Sequence, residues 1–576
     1  MQHRLPSIIR AAKHRLGAHP APSTVNWACS LYLSQAGRRR YSSDVAAVKE
    51  KPYYLTTPIF YVNAAPHVGH LYTVILADVL KRWQLLKGRE AILCTGTDEH
   101  GMKIQQAAAN AGMPPKAFCD SGAEVFKSLA TKSNTSFDHF IRTTDPKHRD
   151  AVQHIWFLLQ DRGLIYSDKH EGWYSVSDET FYPTSGVKQI QDPATGRKMM
   201  ISVETGREVE WTSEQNYHFR LSAMQDKLLS FYAANPNFVF PKLRHNDVVS
   251  SVSDGLSDLS ISRPRSRLTW GIPVPGDPEQ TIYVWLDALI SYITASGYPW
   301  TPGCESLGGW PVDVHVVGKD IVRFHCIYWP AFLLALDLPT PKQVLTHAHW
   351  TMNRRKMSKT EGNVVNPFYA MDRYGVDTMR FYMVHDGGIV DDGDYSNEGI
   401  MGRYKNSLEK GLGNLVSRIC SKTFDLEAAI EQGLDGSDSK GDCLHLKHEE
   451  LVRDIAEKVA DKMAALEVPA ALKEIMQVVS NTDKYIHHTA PWSLVLPTQA
   501  KERNKTIYLC AEAIRVVGIL LQPFMPEKMG ELLDQISVGK DRRGFAFASL
   551  GKDRTYGVGA SGRRMKLFPP LSEECE

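Results

Sequence analysis

No apolar run in this 576-residue chain reaches the roughly 18 to 20 residues that a bilayer-crossing helix needs, so no membrane partner is expected. The nine cysteines are scattered, and no two stand at Cys-x-x-Cys spacing. That argues against a disulfide framework and against a thiolate zinc site. Excess charge is also lacking: the formal net charge is only +2. A polyanion would therefore have to be met by a local basic face rather than by the whole surface. Internal repeats and low-complexity stretches are missing too. A hydrophobic share of 43% with 23% charged residues is that of an ordinary globular protein, and the length demands more than one core.

One local absence carries information. No Asp or Glu occurs before Asp44, while Arg4, Arg10, Lys13, Arg15, Arg38, Arg39 and Arg40 all precede it. Ile8, Ile9, Ala12 and Leu16 can share one helical face. A basic, acid-free, amphipathic start has the composition of a mitochondrial transit peptide, assigned here to residues 1–42 with cleavage expected after Tyr41. A mitochondrial matrix location follows from that reading.

Folding is expected to begin near Lys51. Tyr53 to Tyr61 is rich in aromatic and β-branched residues and reads as a strand. Beyond the turn at Asn63 to Pro66, Leu71, Val74, Ile75, Val79, Leu80 and Trp83 recur at helical period, and Ala91 to Thr95 is a second strand. Strand, helix, strand at this spacing predicts a parallel sheet. The stretch 163–268 breaks the rhythm and reads as an α/β insertion; the rhythm resumes over 269–395. From 396 to 576 two amphipathic stripes, Leu451 to Leu466 and Ile507 to Leu521, predict a helix bundle. The fold class is thus α/β, a Rossmann-like parallel-sheet catalytic domain (51–162 and 269–395) with an inserted domain, followed by an all-α bundle.

Two segments carry chemistry. The loop after the first strand reads Pro66-His67-Val68-Gly69-His70. In an open parallel sheet, ligands bind at the carboxyl ends of strands, where helix N-termini offer backbone donors. His67 and His70 there can donate to a nucleotide's phosphates, and a side chain at Gly69 would fill the space a base needs. The second segment is Lys356-Met357-Ser358-Lys359-Thr360, two lysines in a short polar loop that can clamp transferring phosphates.

Together the two resemble the HIGH and KMSKS motifs of class I aminoacyl-tRNA synthetases, written HVGH and KMSKT here. The resemblance runs from about Tyr53 to Pro570 and is closest to the methionyl-tRNA synthetases, in their mitochondrial form when the N-terminus is counted. Thr97-Asp98-Glu99-His100-Gly101, Tyr283-Val284-Trp285-Leu286-Asp287-Ala288 and Gly318-Lys319-Asp320-Ile321 with Phe324-His325 are similar to segments of that family. By position the resemblance puts Ile59, Tyr61, Asp98, Trp285, Ala288, Tyr292, Ile321 and His325 around methionine, with Asp98 meeting its ammonium. A thioether does call for aromatic and aliphatic walls. Gly69, Gly318, Asp320 and Lys359 fall to ATP, with Mg2+ accompanying its phosphates. Asn414, Arg418 and Trp492 look like anticodon-reading positions, residue types suited to unpaired bases. One family asparagine, a turn before Asn414, is replaced by Lys410.

The resemblance implies a methionine–tRNA ligase with L-methionine, ATP and tRNA(Met) as partners, acting as a monomer. Zinc-binding branches of the family begin their site near a Tyr-Cys segment of the insertion. The matching stretch here, Trp173 to Glu179, has no cysteine, so no structural zinc is expected. Three rivals stay open at this point. Another class I synthetase would want a larger editing insertion or zinc ligands. A small nucleotidyltransferase can share the His-x-Gly-His turn, and a tRNA-binding protein without catalysis would keep the bundle.

Overall fold

The computed structural model describes residues 50–176, 180–192, 196–301, 303–357, 363–434, 443–562 and 566–571. The transit-like segment, Ser358, Lys359 and Thr360 lie outside the described residues.

Six strands form one wholly parallel sheet: β1 (Tyr53–Tyr61), β2 (Ala91–Asp98), β3 (His139–Arg142), β4 (Val239–Phe240), β5 (Val314–Gly318) and β6 (Gln343–His347), in the order β3-β2-β1-β5-β6-β4. The order reverses at β1, the usual position of a ligand crevice in such a sheet. Pro58 has no N–H to give, and the β1–β2 ladder skips between Thr56 and Ile59. Beyond the skip, Ile59 and Tyr61 share one face of β1 and pack into the apolar cluster that includes α2 (Val284–Ala295).

The other face carries α1 (Val68–Leu86). Its expected apolar stripe is present, but burial extends nearly all round and includes Asp78 and Lys81. The reason is tertiary: α3 (Val376–Asp386) and the C-terminal bundle cover the side that a lone sheet-packing helix would leave wet. Asp78 is stabilised there by Arg380 of α3, with Oδ2 2.6 Å from the guanidinium; both side chains are fully buried. Arg380 also donates to Ser133 O at 3.1 Å, Pro523 O at 2.8 Å and Phe524 O at 3.0 Å.

The stretch expected as an insertion divides. Ile165–Ser175 and Glu208–Phe219 pair as antiparallel strands of a separate sheet, whereas Val239–Phe240 returns to the edge of the parallel sheet as β4. After Ser396 the chain is helical: α4 (Cys443–Ala464), α5 (Val468–Thr489) and α6 (Ala500–Leu521) form the bundle. Its core runs without a break into the core beneath α1. Tyr404–Gly413, which opens this region, is wound as wide π-type turns. Phe568 folds back onto this opening element: its ring lies 6.1 Å from that of Tyr404, whose hydroxyl donates to Pro569 O.

Candidate active site

The site opens at the carboxyl ends of β1, β2 and β5. His67 is the N-cap of α1, with extended backbone, and its Nδ1 accepts from Gly69 N at 3.1 Å. His70 Nδ1 accepts from His67 N at 3.1 Å, closing a reciprocal capping box made from two histidines. With both Nδ1 atoms used as acceptors, each ring keeps its hydrogen on Nε2 and can donate outward. The rings lie 3.9 Å apart, and His70 packs between Phe60 and Phe126. Desolvation, helped by His67, pushes the His70 pKa well below the ordinary imidazole value, so it acts as a neutral donor. A Cβ at Gly69 would come within 2.8 Å of the His67 ring, so this glycine protects the cap itself.

Beside it lies an aromatic cluster. Trp285, in the first turn of α2, stacks on Phe324 with centroids 3.6 Å apart and an interplanar angle of 10°. Tyr292 Oη is 2.6 Å from His325 Nε2, and His325 Nδ1 is 3.0 Å from Ile321 O. A carbonyl can only accept, so Nδ1 holds the hydrogen and Tyr292 donates. Burial pushes His325 down to about 4 and Tyr292 well above its ordinary value, keeping the pair uncharged. Ile59, Tyr61, Trp285, Tyr292 and Ile321 belong to one apolar cluster, Ala288 is buried on the same helix, and Asp98 is buried at the end of β2 opposite Tyr61. The structure thus places these residues in or beside one apolar cluster, with His325 bonded to Tyr292 and Asp98 at the strand end next to Tyr61.

Gly318 ends β5, where a Cβ would strike Asp320 Oδ1 at 2.7 Å; the glycine lets that carboxylate fold back. Asp320 also contacts His349 Nε2 at 3.3 Å. Lys356 ends a hairpin, Trp350–Met352 with Arg355–Lys356, whose turn residues Asn353 and Arg354 both have positive φ, 53° and 59°. Such a turn suits asparagine and strains arginine. Asp394 holds it, accepting from Arg354 N at 2.9 Å and Thr351 Oγ1 at 2.8 Å.

Several residues of the site escaped the sequence reading. Glu99 accepts from Arg142 Nε and Nη2, at 2.6 and 2.9 Å, and from Thr97 Oγ1 and Thr144 Oγ1, locking the ends of β2 and β3 together. Asp287 is buried between His100 Nδ1 and His148 Nε2, each at 2.7 Å. Burial alone would raise Asp287, but the electrostatic pull of His100 and His148 and the hydrogen bonds from both hold it below the ordinary carboxylate range. No spacing rule links these positions. Only the Thr97–Gly101 and Tyr283–Ala288 motifs pointed there, without their partners Arg142 and His148.

In the bundle, Arg418 lies one turn after Asn414 and contacts Asp483 at 2.9 Å and His487 Nε2 at 3.0 Å. The His487 ring is 6.0 Å from Trp492, which is 45% exposed. Lys410 is exposed within the wide turns. Among the described residues no cluster of metal-ligating side chains is assembled.

A parallel sheet that reverses at a histidine-capped helix, a lysine-bearing hairpin beyond its sixth strand and a helical bundle behind have the layout of a class I aminoacyl-tRNA synthetase. Residues 53–420 match the family described as tRNA synthetases class I (M), and residues 440–548 match the anticodon binding domain of methionyl tRNA ligase. The Neurospora crassa protein named "Probable methionine–tRNA ligase, mitochondrial" is 51% identical over 565 residues, covering 95% of this chain and 91% of that protein. The human mitochondrial methionine–tRNA ligase is 39% identical over 571 residues, covering 94% and 95%. The methionyl-tRNA synthetase of Mycobacterium tuberculosis, solved with methionyl-adenylate, superposes with a TM-score of 0.82 at 39% identity, covering 90% of this chain and all of that one. This chain belongs to the methionyl-tRNA synthetase family.

Proposed function

We propose that the chain activates L-methionine with ATP and passes the methionyl group to tRNA(Met), working as a monomer in the mitochondrial matrix. The observation that carries the substrate is the pocket. Its floor is a neutral Tyr292–His325 hydrogen bond, its walls are Trp285, Ile59 and Ile321, and buried Asp98 stands at its rim. A thioether fits such walls without demanding a charge, and Asp98 pairs with the substrate ammonium.

In the first step a carboxylate oxygen of methionine attacks the α-phosphorus of ATP in line, and pyrophosphate leaves with the electron pair of the broken bond. The nucleophile is already ionised, so this step needs positioning and charge stabilisation rather than a base. His67 and His70 donate Nε2–H to the phosphates from the helix side, and Lys356 and Lys359 close from the loop. Magnesium arrives with ATP as part of the substrate. Gly318 and Asp320 hold the ribose. In the second step a terminal ribose hydroxyl of the tRNA takes the acyl group and AMP departs. Trp492 stacks on an anticodon base while Asn414 and Arg418 read base edges. The insertion, with no cysteine between Cys119 and Cys304, keeps its fold without zinc.

The test is ATP–pyrophosphate exchange on protein beginning near Ser42, run against a panel of amino acids. Exchange driven by methionine alone is expected. Exchange driven by another amino acid would overturn the pocket, and none at all would overturn the enzyme.

A further inference from the structure

A cleft opens at the carboxyl ends of β2 and β3, lined among others by His100, Lys116, Thr143, Arg149 and Trp270. It adjoins the methionine pocket, because Asp98 and His100 lie two residues apart on one turn. That turn is rigid: Glu99 N donates to Thr143 Oγ1 at 2.9 Å and Trp270 Nε1 donates to Glu99 O at 2.5 Å.

His100 is the group here whose chemistry the activation step leaves unused. It is only 7% exposed, with Nδ1 turned inward to Asp287 Oδ2 at 2.7 Å. An ionised carboxylate only accepts, so Nδ1 carries the hydrogen. The other Asp287 oxygen takes His148 Nε2 at 2.7 Å. His148 Nδ1 lies 3.2 Å from Thr294 Oγ1, whose own hydrogen goes to Ile290 O at 2.9 Å. Thr294 is therefore the acceptor, and His148 holds a hydrogen on each nitrogen. The Asp287 charge is balanced from behind, which leaves His100 as the neutral ring. Its Nε2 then bears a lone pair and meets no hydrogen-bonding partner among the described residues.

On the reading of the chain as a methionine-activating tRNA ligase, we propose that His100 is the proton acceptor of the transfer step, the terminal nucleotide of the tRNA entering through this cleft. Unlike the methionine carboxylate, a ribose hydroxyl is not ionised at neutral pH and must lose a proton as it reacts. Its oxygen forms the ester bond to the carbonyl carbon. The bond from that carbon to the phosphate oxygen breaks with its electron pair going to AMP, and the hydroxyl proton passes to His100 Nε2. The imidazolium formed faces Asp287 and returns its proton to water through the cleft. The charged groups around it are Asp287 and His148 on the buried side and, on the open side, Lys116 and Arg149 with their ion-pair partners Asp120 and Asp150. Those two cations can meet a phosphate, and the Trp270 ring can meet a base.

His100→Asn keeps a donor toward Asp287 but has no basic nitrogen to take a proton in the cleft. Enzyme carrying preformed methionyl-adenylate is mixed with tRNA and quenched over a single turnover. Transfer is expected to slow by about 10² or more and to lose its rise with pH, whereas adenylate formation falls far less. Asp287→Asn removes the charge that favours imidazolium and should move the midpoint of the transfer profile to lower pH. Transfer by His100→Asn as fast as wild type overturns the proposal. So does an equal loss in both steps with the pH profile retained, the mark of a purely structural histidine. Absence of methionine-dependent exchange in the wild-type protein would instead remove the underlying reading.

Discussion

Replacing Arg380 by Met should cost the protein about 3–5 kcal/mol of stability, the usual penalty for stripping one partner from a buried ion pair. The magnitude follows from what would be left behind. Asp78 would keep Arg82 and the Ser136 backbone and hydroxyl donors but lose the guanidinium on its buried side. Three carbonyls, of Ser133, Pro523 and Phe524, would lose a charged donor. Two of these lie just past α6, so the loss should be felt in the bundle and in the HVGH helix together. Urea unfolding followed by tryptophan fluorescence and by circular dichroism measures it. The companion Asp78→Asn/Arg380→Met should cost less than the sum of the single changes, because neither charge remains unpaired. There is also a pH signature. Burial opposes ionisation of Asp78, but Arg380 and Arg82 hold its pKa below the ordinary carboxylate value. A depressed folded pKa contributes stability that is present above the unfolded value and lost as pH falls through the folded one. Without Arg380 the folded pKa rises, so Arg380→Met should lose stability at milder acidity than wild type. A cost under about 1 kcal/mol, or additive single changes, would refute this account of the junction.

Three further outcomes are expected. Tyr292→Phe leaves the buried His325 Nε2 without its donor and should raise the KM for methionine roughly tenfold, since an orphaned acceptor costs about 1–3 kcal/mol; pyrophosphate-exchange kinetics with an unchanged KM would exclude Tyr292 from the pocket floor. Lys359→Ala should lower adenylate formation by about 10² to 10³, the cost of one preorganised donor, and near-normal exchange would remove Lys359 from the clamp. Trp492→Ala should weaken tRNA binding by about 1–3 kcal/mol in filter binding, and unaltered affinity would mean that the exposed ring stacks on no base.

The parallel sheet was legible because β1, α1 and β2 each obey a local rule: alternating and β-branched residues, then a 3.6-residue period, then a short apolar run. β4 was not, since a two-residue strand has no period and is set by its neighbour β6. The HVGH and KMSKT loops were visible as letters, but the sequence could not tell that Gly69 protects a histidine cap or that Asp394 steadies the hairpin carrying Lys356. Burial of Asp78 escaped for the same reason: it lies at helical period with Leu71, Val74 and Ile75, but a carboxylate is expected to face water, and the Arg380 that pairs with it comes from α3, 302 residues later. Long-range partnerships such as Glu99 with Arg142, or Asp287 with His100 and His148, leave no mark in spacing. They appear only once the strand ends are brought side by side.

The packing of Phe568 against Tyr404 has a consequence for biosynthesis. The helix that opens the bundle finds its apolar cover 165 residues later in the chain, where Tyr404 meets Pro569. A ribosome releases that cover well after the helix it covers, and a chain threaded through a membrane pore N-terminus first would receive the two in the same order. Until then Tyr404 lacks its Phe568 neighbour and the Pro569 acceptor, and that corner of the bundle is complete only when synthesis or import has passed residue 569.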